Sequence, residues 1–151
     1  MVRNLSITSI SKLKIDKKNI HKIVLNLKNE YLFKINSLII NFVTEKEIIL
    51  INEKYLGHNF STDIITFNYS GENDSLDGEI FICLDDACFN AKKFNVTLEN
   101  ELIRLVIHGV LHLLGYDDKS TKEKKKMKIE ENRLVNKYQE QIHKLIIKYD
   151  C

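Results

Sequence analysis

Residues 97–118 read TLENELIRLVIHGVLHLLGYDD, and the spacing of apolar side chains in this stretch decides the fold around it. Leu98, Leu102, Leu105, Val106, Val110, Leu113 and Leu114 fall on one stripe of a helix with about 3.6 residues per turn, so the stretch predicts a helix buried along one side. Thr97 suits its N-cap, and Gly115 tolerates the left-handed backbone that ends helices. His108 and His112, four apart in the last two turns, project from one face.

Beyond Gly115 the chain can turn back sharply and bring Asp118 toward the two imidazoles. The spacing HxxxHxxGxxD has the metal-clasping layout of the HExxHxxGxxH of metzincin zinc proteases, with a carboxylate in third place. His108, His112 and Asp118 are therefore the expected ligands of one Zn2+ per chain, and Asp117 is a rival for the third position. Two nitrogens and one oxygen leave the fourth tetrahedral position for water, the pattern of a catalytic zinc. A bland alternative, two core histidines beside a turn, would leave imidazoles in an apolar stripe that need polar partners. The protease general base follows the first histidine directly; here that place is Gly109, which weakens a metallopeptidase reading.

The other elements follow from periodicity. RNLSITSI suits an edge strand, and KKNIHKIVLNLKNEY puts Ile20, Ile23, Val24 and Leu27 on one helical stripe. INSLIINFV has the β-branched density of a strand. Thr44 and Glu47 form a capping box for a helix ending at Gly57. DIITFNY and GEIFICL read as strands of a hairpin joined by SGENDSLD, with a short helix, DDACFNAKKF, after them. Ser120 and Glu123 form another capping box and open a final helix, expected to run to about residue 148. The order β-α-β-α-β-β-α-α-α predicts an α+β fold: a small mixed sheet of about four strands packed with helices, the metal site on a helix in the C-terminal half.

The chain has 151 residues, 44% of them hydrophobic, enough for a single domain over 1–151 with its own core. No run of eighteen apolar residues indicates a membrane span and no signal peptide is evident, so the expected location is cytoplasmic and no membrane partner is expected. Cys83, Cys88 and Cys151 are an odd set without CxxC spacing; this speaks against a disulfide framework, and Cys83 and Cys88 read as buried small hydrophobes. A formal charge of +2 does not declare a nucleic-acid partner. Lys119, Lys122, Lys124, Lys125, Lys126 and Lys128 cluster after the histidines, either to contact phosphates or as a solvated helix face. The absence of tryptophan and an aromatic content of 9% give no signal of a base-stacking platform.

The sequence also resembles a known family, the YbeY-type bacterial metallo-endoribonucleases of ribosomal RNA maturation. HGVLHLLGYDD (108–118) is similar to the family motif HGxLHLxGYDH; INEKYLGHNFSTDIITF (51–67) resembles LNxxYRxxDxxTDVLSF at Asn52, Tyr55, Thr62, Asp63 and Phe67; and DGEIFIC (77–83) resembles G-D-I-x-I-C. Met127 and Glu131 lie in a further, less specific match. The resemblance implies a single-strand-specific, zinc-dependent endoribonuclease acting in small-subunit ribosomal RNA 3′-end maturation and ribosome quality control. Its implied partners are single-stranded RNA, ribosomal RNA and the small ribosomal subunit. The alternatives are an RNA-binding ribosome-assembly factor with a mainly structural metal and, more distantly, a metallopeptidase. Two departures stand out: Asp118 replaces the family's third histidine, and Leu56 replaces an arginine for which His58 is a candidate substitute. Asp63 and Glu79, expected at strand ends facing the helix, are candidates to position a ligand or handle a proton; no general base is assigned.

Overall fold

Side-chain caps set the helix starts where the sequence places them. In the computed structural model, which describes residues 1–142 and 144–151, the backbone N–H of Glu47 donates to Thr44 Oγ1 (3.2 Å), that of Asn100 to Thr97 Oγ1 (3.0 Å) and that of Glu123 to Ser120 Oγ (3.1 Å). Each cap satisfies one N–H that the first turn leaves without a partner. The elements they help delimit are β1 (Leu5–Ser9), β2 (Lys14–Ile15), α1 (Lys17–Tyr31), β3 (Lys34–Val43), α2 (Glu45–Leu56) and β4 (Ile64–Asn68). Then follow β5 (Ser75–Cys83), α3 (Leu84–Lys93), α4 (Leu98–Leu113), α5 (Thr121–Gln139) and β6 (Ile146–Lys148).

The main sheet has the strand order β1-β3-β5-β4, with β1, β3 and β5 parallel and β4 antiparallel to β5. The fold is the expected α+β arrangement of a four-stranded mixed sheet and helices. Side chains alternate across β5: Ile80 and Ile82 join the larger core with α1, α4 and α5, whereas Cys83, with Phe81 packed beside it, joins a smaller cluster with Ile48 of α2. Along α4, Leu102, Val106, Ile107, Val110 and Leu111 are fully buried. Each such aliphatic side chain contributes about 1.5–3 kcal/mol relative to leaving it exposed.

Two glycines let α4 lie directly on the sheet. A Cβ on Gly78 would sit 2.7 Å from the Phe67 carbonyl oxygen and 3.1 Å from Leu113, and one on Gly109 would sit 2.8 Å from Ile80 Cδ1. Gly109 thus faces the sheet.

Two sequence expectations are corrected. The final helix stops at Gln139, and β6 pairs antiparallel with β2; the expected continuation across residue 143 lies outside the described residues. The reason is tertiary: the Asp16 N–H donates to the Leu145 carbonyl (2.8 Å), the Leu145 N–H donates to Glu99 Oε2 (3.1 Å), and Ile146 and Ile147 suit a strand. Cys88 is not a free buried thiol but is disulfide-bonded to Cys151, 63 residues away, because the fold places the chain end against α3. Cys83 is free and buried as expected, and burial pushes its thiol pKa up to about 11.

Candidate metal centre

His108 and His112 stand one turn apart near the C-terminal end of α4, their ring centroids 5.8 Å from each other. The helix ends because Gly115 takes φ +102°, while the N–H groups of Gly115 and Tyr116 donate to the carbonyls of His112 and Leu111 (both 3.1 Å). This turn carries Asp118 back: its Oδ1 lies 3.8 Å from His112 Nε2. One donor atom from each of His108, His112 and Asp118 lies within 4.8 Å of the others, a cluster that could hold a metal ion. Asp117, the rival, is used differently; its Oδ1 accepts the Asp118 backbone N–H (2.7 Å) and so shapes the turn.

The three residues open into a cleft of about 590 Å³ whose walls include Asp63, Asn90, Glu101, Arg104 and Glu131. Glu131, on α5, lies with Oε2 3.0 Å from His108 Nδ1, and its Oε1 lies 3.9 Å from Arg104 Nη1. With Nδ1 engaged, His108 presents Nε2 as its free donor atom. Burial opposes the imidazolium of His108, but the hydrogen bond and charge of Glu131, helped by the charges of Asp63 and Asp118, leave its pKa above the ordinary value. Asn90 bridges two further acids, donating from Nδ2 to Asp63 Oδ2 and to Glu101 Oε2 (both 3.1 Å). Burial raises the pKa of both carboxyls, and the charge of Asp63 raises Glu101 further.

Asp63 therefore lies where the sequence suggested, immediately before β4 and on the cleft wall. Glu79 does not. It sits within β5 between two residues that face α4, so its side chain is on the other sheet face, accepting hydrogen bonds from Asn41 Nδ2 (2.9 Å) and the Tyr69 hydroxyl (2.8 Å). His58 is also outside the cleft, exposed in the loop after α2 with its ring 5.1 Å from Phe60. Of the lysine run, Lys128 lines the cleft, while Lys122, Lys125 and Lys126 flank a neighbouring groove beside Tyr116.

A family model described as Endoribonuclease YbeY matches residues 5–139. The chain belongs to the endoribonuclease YbeY family. Endoribonuclease YbeY of Azobacteroides pseudotrichonymphae genomovar. CFP2 is 47% identical over 96 residues, 64% of this chain and 68% of the relative. Endoribonuclease YbeY of Chlorobium limicola is 40% identical over 108 residues, 72% of this chain and 74% of the relative. The solution structure of TM1509 from Thermotoga maritima is similar with a TM-score of 0.63 and 31% identity, covering 91% of this chain and 90% of that one. In this endoribonuclease YbeY member the motif residues have visible work: Gly109 admits the sheet, Gly115 turns the chain, and Tyr116 packs edge-on against Tyr31 with ring centroids 6.3 Å apart. Arg104, Asn90, Glu101 and the pairing of Glu131 with His108 were not assigned from the sequence. The i, i+4 spacing of Arg104 and His108, and the Met127–Glu131 match, were the available signals.

Among the described residues no helix is long and apolar enough to cross a membrane.

Proposed function

We propose that this chain is a single-strand-specific, zinc-dependent endoribonuclease that works in the cytoplasm on ribosomal RNA, in 3′-end maturation of the small-subunit RNA and in ribosome quality control. The observation that carries the reading is the convergence of His108, His112 and Asp118 in a cleft that also holds a lysine. The donor set fits one zinc ion: two imidazoles, one carboxylate, and a fourth direction open to the cleft. Bound zinc would polarise a phosphoryl oxygen and bring the pKa of a water toward neutrality.

The chain's own residues do the rest. Glu131 fixes the ring of His108 and its tautomer. Arg104 adds positive charge beside Glu131 and is itself held by a hydrogen bond from its Nη1 to Asn132 Oδ1 (2.8 Å). Asp63, with its raised pKa, is a cleft group able to hold a proton at the carboxyl oxygen that Asn90 does not engage. Gly109 carries no carboxylate, and its Cβ direction leads into the sheet, so the proton shuttle of the zinc proteases has no counterpart at that position.

Incubating zinc-loaded protein with an unstructured RNA and with a peptide library, each beside His112→Ala, tests the reading. Cleavage of RNA alone, lost in His112→Ala, supports it. RNA binding without turnover would favour an assembly factor, and peptide cleavage a metallopeptidase.

A further inference from the structure

Phe94 is a large apolar side chain, 61% exposed, that lines the metal cleft. Isolated exposed apolar residues are ordinary on protein surfaces, so exposure alone decides nothing. Its backbone is what sets it apart. Phe94 caps the C-terminus of α3, and the chain there is locked by three hydrogen bonds: Phe94 N–H to Asn90 carbonyl (2.9 Å), Asn95 N–H to Lys92 carbonyl (3.3 Å) and Val96 N–H to Ala91 carbonyl (2.9 Å). Asn95 takes the left-handed conformation, φ 54°, that this helix ending requires. One turn earlier, the Asn90 side chain is tied to the half-buried Asp63 and the buried Glu101. The backbone of Phe94 is therefore held relative to the cleft before any ligand arrives, and its ring has only two side-chain torsions to lose.

Arg104 is within 4 Å of Glu131, and His108 is hydrogen-bonded to the same carboxylate. Lys128 also lines the cleft but takes part in none of the ion pairs among the described residues. An exposed ring on a held backbone and an ammonium outside those ion pairs, in one cleft, match the two recurring parts of a single strand, a base face and a phosphate. Lys93 Nζ lies over the ring, 5.5 Å from its centroid, and adds positive charge on that face.

We infer that Phe94 is the platform on which one base of a single-stranded RNA stacks, and that Lys128 holds a phosphate of the same strand. This rests on the endoribonuclease reading above and deepens it. It gives the cleft its own selection for single strands, since a base within a duplex has both faces covered by its neighbours.

The chain contains no tryptophan, so Phe94→Trp introduces a lone fluorescent reporter. Rapid mixing with an unstructured RNA, read before cleavage, is expected to quench its emission; the same sequence annealed to a complement is expected not to. Phe94→Ala should raise KM for unstructured RNA about tenfold, as loss of one base stack does, with kcat within about twofold and with rescue by Phe94→Tyr. Lys128→Gln should lower the slope of log affinity against log salt by about one. Circular dichroism on each variant reports that the fold is kept. Parental KM in Phe94→Ala together with an emission unmoved by RNA would overturn the platform while leaving the endoribonuclease reading intact. If the unaltered protein neither bound nor cut RNA, that reading would fall and the platform with it.

Discussion

His108 Nδ1 lies 3.0 Å from Glu131 Oε2, so a side chain on α5 sets the orientation of a candidate ligand on α4. The contact engages Nδ1, leaves Nε2 as the free ring nitrogen and couples the candidate site to the packing of two helices. Partners of this kind typically change metal affinity by about 10–100-fold when removed. Glu131→Ala is therefore expected to weaken zinc binding by that order in a chelator competition. Glu131→Gln, whose side-chain oxygen still accepts from Nδ1, should lose less. Equal affinity in Glu131→Ala and the parent would show that the pair orients nothing.

The same pair gives the metal-free protein a pH signature. His108 has a pKa raised above its ordinary value, chiefly because Glu131 overcomes the effect of burial. A raised imidazole pKa means the folded state binds the proton more tightly than the unfolded chain. That contribution is fully present below the unfolded value and is lost as pH rises through the folded one. Urea midpoints of metal-free protein should fall across this window in the parent and change less in Glu131→Gln. Parallel curves for the two would sink the assignment.

Local signals were legible in the sequence and distant ones were not. Thr44, Thr97 and Ser120 cap the helices they precede because capping is settled within three residues. The histidine spacing and Gly115 likewise bring His108, His112 and Asp118 together through one helix and one turn. By contrast, β6 exists because Lys148 meets Lys14 across the fold, and no local pattern near residue 146 reports that partner. The Cys88–Cys151 bridge and the His108–Glu131 contact are of the same kind. Glu79 was misplaced for a simpler reason: alternation puts Gly78 and Ile80 toward α4, so Glu79 points away.

Gly109 offers a test of why this site lacks the protease glutamate. Even a single Cβ there would meet Ile80 Cδ1 at 2.8 Å and Ile64 Cδ1 at 3.2 Å. Gly109→Glu must force a longer, charged side chain between helix and sheet, and it should cost about 3 kcal/mol or more in urea unfolding. It should also fail to create peptide hydrolysis, because the carboxylate has no path to the cleft. A stable Gly109→Glu protein that cut peptides would contradict the packing described for α4.

The disulfide predicts a thiol count. Denatured without reductant, the protein should titrate about one thiol per chain, that of Cys83, and after reduction all three cysteines should react. Under oxidising conditions Cys151→Ser should lower stability by about 2–4 kcal/mol, since the bridge closes a long loop, and under reducing conditions it should change little. Three reactive thiols in unreduced protein would rule the bridge out.

Asp118 is the third member of the candidate ligand cluster, and proton counting tests whether it is a ligand. An imidazole must lose its proton to bind zinc, whereas carboxylic acids ionise roughly two pH units or more below imidazolium and are already charged in mildly acidic solution. The protons that zinc binding releases in mildly acidic solution therefore come from imidazole ligands, and the parent's count is the reference for variants at position 118. Asp118→His adds an imidazole and should release more protons than the parent, so its zinc affinity should fall more steeply with acid while one zinc per chain is retained near neutrality. Asp118→Ala should bind zinc more weakly at every pH with the proton count unchanged, because the two histidines alone then supply the titrating donors. Isothermal titration in two buffers of different ionisation enthalpy gives the count directly. The same count in Asp118→His as in the parent would mean that position 118 does not contact the metal, and the cluster would have to be completed by another side chain of the cleft.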